Sequence, residues 1–218
     1  MNQGNSREII LKKIKLALEG SGKTPEPLVN LNTEVFVRPE EKDLSVVFAE
    51  NLIKNMGEFV FIENEDELVS SFQALQFKKH LNNLYAFEPS ILKIFNNKGV
   101  SLINTDIDFA EKADAGITTC EALIARTGSI FVSSAGEAGR RLSIYPPVHI
   151  VIAYTSQILY DIKDGITYLK KKYKSNIPSM LSLVTGPSRT ADIEKTLVLG
   201  AHGPKELIVF LIDDTPSY

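Results

Sequence analysis

The segment Thr185–Glu194 (TGPSRTADIE) combines residue types that can hold a negatively charged group. It follows an apolar run of strand length, and Gly186 and the proline after it shape a turn in which the backbone can approach a ligand closely. Three side chains can donate hydrogen bonds to a carboxylate or phosphate: Ser188, Arg189 and Thr190. A helix beginning near Thr190 would aim further free N–H groups at the same place. We therefore predict that this segment binds a small carboxylate or phosphate-bearing ligand.

The same segment also fits a purely structural turn. Thr190 could cap the start of a helix, and Asp192 and Glu194 would then complement the helix dipole. Arg189 would form a surface ion pair in that arrangement. The local sequence does not separate the two interpretations.

A second loop, Ser133–Leu142 (SSAGEAGRRL), follows another predicted strand. Its small residues allow a ligand to approach closely at Gly136, and Arg140 and Arg141 could screen negative charge. The G-x-G-x-x-G spacing of dinucleotide-binding loops is absent, and no P-loop motif occurs in the sequence. A flexible solvated loop is the alternative interpretation.

A third segment, Gly116–Gly128, lies between two strand-like pieces and contains Glu121, the best candidate for a catalytic acid, base or nucleophile. A carboxylate in the first turn of a helix is also an ordinary stabilising feature, so this interpretation stays open as well. The neighbouring Cys120 would be a reactive thiol if a helix N-terminus lowered its pKa, but a buried inert cysteine is the commoner case.

The three histidines are too widely separated to form a metal-binding signature, and we predict no metal site. His80 is expected in solvent at the end of a helix, and His149 is expected to be a satisfied core residue within a strand. His202 lies on a glycine-rich turn before the last strand, where it could contact a ligand or bond the backbone.

Short apolar runs alternate with helical stretches, which predicts an α/β fold with a mainly parallel sheet flanked by helices. Asn64 and Glu67 form a start signal for one of the helices. Helices are predicted over residues 39–56, 65–79 and 161–173, and strands over residues 58–63, 84–87, 100–103, 130–133, 148–154, 181–185 and 207–212. Because ligands collect at the carboxyl ends of strands in such sheets, we expect the loops that follow strands to form the site.

Residues 6–19 are predicted to form an amphipathic helix, and turn-forming residues follow it. We predict an N-terminal helical arm and linker over residues 1–30 and a single α/β domain over residues 31–218. The helix could pack on the domain or contact another subunit. It lacks the uninterrupted apolar stretch of a signal peptide, so we expect no leader.

The composition argues against several classes of protein. Of the 218 residues, 44% are hydrophobic and 23% are charged, as in a globular protein with a sizeable core. A net charge of -3 provides no basic excess for a nucleic-acid partner. The single cysteine cannot supply a disulfide, a zinc site or an iron–sulfur cluster from this chain alone. The apolar runs are too short for a membrane span, and by elimination we predict a cytoplasmic protein.

Three blocks in the second half of the chain resemble the LUD-domain, or lactate-utilisation protein C, family. They are residues 113–132 (ADAGITTCEALIARTGSIFV), residues 139–153 (GRRLSIYPPVHIVIA) and residues 183–213, which include TGPSRTADIE and LVLGAHGPKEL. The first hundred residues match only in general character. The resemblance implies the NagB/RpiA/CoA transferase-like fold, which is shared by sugar-phosphate isomerases, coenzyme A transferases and 5-formyltetrahydrofolate cyclo-ligases.

The resemblance also implies a role in oxidising L-lactate to pyruvate together with two separately encoded iron–sulfur partner proteins. With one cysteine, this chain would be the cluster-free member, and no cofactor is expected in it. Two alternatives stay open. One is a stand-alone small-molecule enzyme of the isomerase, acyl or coenzyme A transferase or cyclo-ligase type, with Glu121 in catalysis. The other is a non-catalytic assembly protein.

Overall fold

The computed structural model describes residues 6–20, 43–105, 107–136, 140–191 and 197–215. The chain divides into two units, Met1–Arg38 and Pro39–Tyr218. In the first unit, helix α1 (Ser6–Gly20) confirms the helix predicted there. The predicted domain boundary at residue 30 and the predicted helix start at Pro39 lie outside the described residues.

The second unit is a mixture of helices and strands. Its described helices are α2 (Leu44–Lys54), α3 (Glu65–Lys79), α4 (Pro89–Asn96), α5 (Phe109–Lys112) and α6 (Ile162–Tyr173). Its described strands are β1 (Glu58–Ile62), β2 (Leu84–Tyr85), β3 (Ala115–Thr118), β4 (Ala122–Ile124), β5 (Ser129–Ser133), β6 (Val148–Tyr154), β7 (Ile158–Leu159), β8 (Leu181–Val184), β9 (Arg189–Ala191), β10 (Leu197–Leu199) and β11 (Glu206–Ile212). Five of them form an all-parallel sheet in the order β1-β11-β6-β3-β2. The predicted α/β fold with a mainly parallel sheet flanked by helices is confirmed.

Helix α3 begins where its sequence signal places it. The side chain of Asn64 accepts a hydrogen bond from the N–H of Glu67 (3.0 Å), and the Glu67 carboxylate accepts one from the N–H of Glu63 (2.7 Å). These two bonds satisfy donors that a helix start otherwise leaves unpaired. A local pattern of side chains therefore suffices to fix this helix end.

Helices α3 and α4 cover one face of the parallel sheet. The ring of Phe72 on α3 lies 4.6 Å from that of Phe95 on α4 and 6.2 Å from that of Phe210 on β11, measured between ring centroids. All three side chains are fully buried. Burial of these rings, together with the aliphatic side chains packed around them, stabilises this face.

Helix α2 and a second sheet cover the opposite face. The second sheet has the order β7-β4-β5-β8, and its β4–β5 and β5–β8 pairs are antiparallel. Phe48 and Leu52 of α2 pack in one cluster with residues of both sheets, among them Leu123, Val151 and Val209. The sequence did not predict this second sheet, because a short apolar run does not reveal which strand it pairs with.

The expected helix start near Thr190 is wrong. The chain is extended there, and Thr190 pairs with Val198 in an antiparallel ribbon of β9 and β10. Threonine and valine are β-branched, which favours an extended backbone. Within the described residues, which stop at Ala191 and resume at Leu197, no helix begins directly behind Thr185–Ser188.

Candidate functional site

A cavity of about 260 Å³ lies beside Thr185–Ser188, the first part of the segment Thr185–Glu194 that the sequence singled out. Its polar walls come from side chains that can form hydrogen bonds, namely Ser143, His149, Thr185, Ser188 and His202. Apolar side chains such as Ile144 and Leu207 complete the lining. The mixture suits a small molecule with one polar and one apolar part.

The cavity lies at the amino ends of two parallel strands. His149 and Leu207 are the second residues of β6 and β11, and apart from Val184 at the end of β8 the other lining residues belong to loops around them. The expectation that the Thr185 loop marks the carboxyl end of the parallel sheet is therefore wrong. Strand β8, which precedes this loop, belongs to the second sheet and pairs antiparallel to β5.

The loop after β8 is held by hydrogen bonds and by a glycine that no other residue could replace without strain. Gly186 has φ +70°, and a Cβ atom on it would overlap the carbonyl oxygen of Asn55. The N–H of Ser188 donates to the carbonyl of Pro204 (2.8 Å), and the Ser188 carbonyl accepts from the N–H of Gly200 (2.9 Å). The loop is thus tied to the turn that carries His202.

The structure brings some of the predicted ligand contacts together and separates others. Gly186, Ser188 and the exposed His202 line the cavity. Arg189 and Thr190 lie on β9 and are not among the described residues that line it. The exposed guanidinium of Arg189 lies 3.4 Å from the carbonyl oxygen of Thr185, so it contacts the loop from outside.

His149 is a buried histidine with one unsatisfied nitrogen. Its Nε2 lies 2.9 Å from Thr118 Oγ1, while its Nδ1 has no hydrogen-bond partner among the described residues. The sequence predicted a satisfied core histidine, and this prediction is wrong for Nδ1. Burial lowers the pKa of His149 from its usual 6.5 to about 4, so the imidazole is neutral near pH 7.

This neutral histidine predicts a stability that depends on pH. The pKa of His149 is lower in the folded protein than in the unfolded chain. The contribution of the neutral histidine to the free energy of unfolding is therefore complete above about pH 6.5 and is lost as the pH falls towards 4. Across this interval we expect the free energy of unfolding of wild type to fall by on the order of 2 kcal/mol more than that of His149→Gln. Urea denaturation at a series of pH values measures the difference, with exposed His80→Gln as the control. Parallel pH profiles for wild type and His149→Gln would contradict the prediction.

Glu121, the predicted catalytic residue, lies in a neighbouring cleft of about 30 Å³. Its carboxylate accepts hydrogen bonds from Ser133 Oγ (2.5 Å), Tyr173 Oη (2.6 Å) and Lys172 Nζ (2.7 Å). Burial alone would raise the pKa of Glu121, but the hydrogen bonds from Lys172, Ser133 and Tyr173 lower it below its usual value. The geometry holds an ionised carboxylate between β5 and α6.

Glu88 is a cleft residue that the sequence reasoning missed. It is buried just before α4, and its Oε2 accepts a hydrogen bond from the N–H of Thr119 (2.9 Å). Ser143 lines both this cleft and the larger cavity, and Thr118, which lines the cleft, bonds His149. The Glu-Pro pair that opens α4 was the available signal, since proline is common in the first turn of a helix.

Cys120 borders the same cleft, and its thiol is buried. Burial strongly raises its pKa, with a smaller contribution from the neighbouring carboxylate of Glu121. A thiol in this state is a poor nucleophile. The structure therefore favours the inert interpretation of this cysteine.

Two described residues of the second predicted loop, Ser133 and Gly136, line the cleft. Arg140 donates a hydrogen bond to Ser179 Oγ (2.7 Å), and the guanidinium of Arg141 lies over the ring of Phe109, 5.7 Å from its centroid. Both arginines are exposed, and neither is among the described residues that line the cleft or the cavity.

The described part of the chain contains neither a metal-binding group of side chains nor a helix suited to a membrane. No three histidine, cysteine, aspartate or glutamate side chains within it are grouped so that they could hold a metal ion. None of its helices is long and apolar enough to cross a membrane.

The comparisons with known proteins point to one family. The sequence profile of the LUD domain matches residues 46–212. An uncharacterized protein of Neisseria meningitidis is 37% identical over 105 residues, which cover 48% of this chain and 45% of the relative. Lactate utilization protein C 1 of Bacillus mycoides is 32% identical over 137 residues, which cover 58% of each chain. Lactate utilization protein C of Geobacillus thermodenitrificans is 30% identical, and the match covers 62% of this chain and 55% of the relative.

These matches span about half the length of the curated relatives. Among solved structures, a DUF162 family protein from Deinococcus radiodurans has a TM-score of 0.57 and 19% identity. The likeness covers 78% of this chain and 96% of the other. At this identity the structural likeness supports the fold alone.

Proposed function

The chain belongs to the LUD-domain family, and we propose on that basis that it is a cytoplasmic component of lactate utilisation. It supports the oxidation of L-lactate to pyruvate alongside iron–sulfur partner proteins and binds a small anionic ligand. The names of the relatives in Bacillus and Geobacillus support the lactate role. Because this chain has one cysteine, the clusters would reside in the partners.

The observation that carries the ligand-binding proposal is the cavity beside Thr185–Ser188. The first four residues of the predicted segment Thr185–Glu194 line a cavity of about 260 Å³ together with two histidines. Pockets for drug-sized ligands measure about 300–1,000 Å³, so this one suits a smaller metabolite. A small organic acid fits both the volume and the mixed lining.

The polar groups of the cavity suit a carboxylate or phosphate held by hydrogen-bond donors. Ser188 contributes a hydroxyl, and His202 contributes an exposed imidazole at the rim. Arg189 contacts the carbonyl of Thr185 from outside, so its charge acts on the ligand at a distance. In this arrangement the arginine favours anions without a direct contact, unlike the hydrogen bond to the ligand expected from the sequence.

Removing the Ser188 hydroxyl tests the proposal. We expect Ser188→Ala to weaken the binding of L-lactate, pyruvate or glycerol phosphate about tenfold, since one hydrogen bond to a charged group is lost. Isothermal titration calorimetry measures this, with Ser70→Ala on the exposed face of α3 as the matched control. Arg189→Ala should weaken binding only a few-fold, because solvent screens an exposed charge.

Two results would contradict the proposal. One is the absence of binding of any of these anions to wild type. The other is an affinity of Ser188→Ala equal to that of the Ser70→Ala control. A loss in Arg189→Ala that exceeds the loss in Ser188→Ala would instead place the anion outside the cavity, on the β9 side of the loop.

A further inference from the structure

His149 lines the cavity, and its unpaired Nδ1 is the most unusual polar atom among the side chains there. His149 is 1% exposed, and Nδ1 is the one buried side-chain nitrogen or oxygen that lacks a hydrogen-bond partner among the described residues. Nearly all buried polar groups in folded proteins are paired, and an unpaired one is destabilising. Because His149 lines the cavity, a ligand bound there is a candidate partner for Nδ1.

We propose that His149 is the specificity residue of the cavity and that its Nδ1 hydrogen-bonds the 2-hydroxyl or 2-oxo oxygen of a bound hydroxy acid or oxo acid. This inference rests on the proposed function, because it names the class of ligand for the same cavity. It adds that the neutral oxygen beside the carboxylate, and not only the charge, is recognised.

The position of His149 supports recognition of the carboxylate and of the neutral oxygen by different residues. His149 lies on the inner wall, whereas the exposed His202 and the hydroxyl of Ser188 lie on the loops that close the cavity. A charged carboxylate keeps part of its hydration at such a rim, which lowers the cost of binding it. An uncharged oxygen can be buried against a neutral imidazole at much lower cost.

Thr118 holds the imidazole in place for this contact. Its Oγ1 lies 2.9 Å from His149 Nε2, so either the hydroxyl or the ring nitrogen donates a hydrogen bond to the other. If the hydroxyl donates, Nδ1 carries a hydrogen and can donate to a hydroxyl or a carbonyl oxygen. If Nε2 donates, Nδ1 is an acceptor and pairs with a hydroxyl alone. The relative affinity for 2-hydroxy and 2-oxo acids consequently reports the tautomer.

Comparing L-lactate with propionate isolates this contact, because propionate has the same carbon chain and carboxylate but no 2-hydroxyl. We expect wild type to bind L-lactate about tenfold more tightly than propionate, the value of one hydrogen bond. In His149→Gln, whose amide can still reach Thr118 but not the Nδ1 position, the two acids should bind alike. Calorimetric titration of both proteins with both acids and with pyruvate gives the comparison.

A second measurement needs no substitution in the protein that binds. Histidine labelled with ¹⁵N yields few ring signals, because the chain has three histidines. Saturation with L-lactate should shift the Nδ1 resonance of His149, which is assigned by its loss in His149→Gln. The signals of exposed His80, at the end of α3, should stay in place and serve as the internal control.

Each outcome decides the inference. It is overturned if the preference for L-lactate persists in His149→Gln, if wild type does not discriminate, or if the His149 resonance stays fixed at saturation. In those cases anion binding that depends on Ser188 would leave the proposed function standing. If wild type binds none of the acids, the anion-binding part of the proposed function fails together with this inference.

Discussion

Replacing Gly186 with alanine is expected to lower the free energy of unfolding by about 3 kcal/mol and to abolish ligand binding. Gly186 has φ +70°, a backbone conformation that costs any residue with a Cβ atom free energy. The added methyl would also overlap the carbonyl oxygen of Asn55, the residue that caps α2. A backbone atom cannot rotate away, so either the loop or the end of α2 must move.

Gly99→Ala is the matched control for this substitution. Gly99 has φ +76°, but nothing lies within 4 Å of the position that its Cβ would occupy. Gly99→Ala should therefore lower the free energy of unfolding by the backbone conformational cost alone, which is about 1 kcal/mol. Urea denaturation followed by circular dichroism compares the two variants with wild type. If both variants lost the same free energy of unfolding, α2 would not restrain the loop after β8. The contact with Asn55 would then not explain the shape of that loop.

The contact between Gly186 and Asn55 also explains how distant segments of the chain are brought together around the site. Asn55 Nδ2 donates to the carbonyls of Asn51 (2.8 Å) and Thr127 (3.0 Å), and Asn51 Nδ2 donates to the carbonyl of Ala125 (2.9 Å). One helix end thus fixes both the β4–β5 turn and the loop after β8. Local sequence patterns could not reveal this, because the partners are more than seventy residues apart.

The elements that could be predicted are those that depend on residues close together in the sequence. Helix α3 depends on Asn64 and Glu67, which lie three residues apart, and its predicted start and end agree with the structure. Strand β6 was also predicted with its observed bounds, because seven consecutive residues of VHIVIAY suit a buried strand. Both elements carry their own signal.

The site was only partly predictable, for the same reason. The loop after β8 was recognised from its residue types, but its location depends on β8 pairing with β5. His149 lies within an apolar strand and gave no sign that one of its nitrogens would lack a partner. Glu88 reaches the cleft through Thr119, which is thirty-one residues away in the sequence. Long-range pairing decided each of these outcomes.

Replacing Glu121 with alanine is expected to lower the free energy of unfolding by about 4 kcal/mol. The side chain is 10% exposed, and its carboxylate joins donors on β5 and on the last turn of α6. Its removal leaves Tyr173 and Ser133 without their acceptor, while the more exposed Lys172 can return to water. Urea denaturation measures the loss, and Glu63→Ala, at an exposed position after β1, is the control.

The pH dependence of this loss tests whether the ionised carboxylate is responsible. Because the pKa of Glu121 is lowered in the folded protein, its contribution is complete above the usual value of 4.5 and is lost as the pH falls through the folded pKa. The difference between wild type and Glu121→Ala should therefore shrink on acidification below this value. A difference that stays constant would assign the stability to packing and not to charge.

Further substitutions at this cluster separate a structural role of Glu121 from a catalytic one. A nucleophile or general base needs an oxygen free to meet the substrate, whereas three donors already occupy the Glu121 carboxylate. A double-mutant cycle with Lys172→Ala should give a coupling of about 1 kcal/mol in the free energy of unfolding, since the lysine is half exposed. If Glu121→Gln kept the full stability of wild type but lost turnover in lactate oxidation, the structural role would be wrong. Glu121 would then act as a catalytic residue, and its three donors would serve to position it.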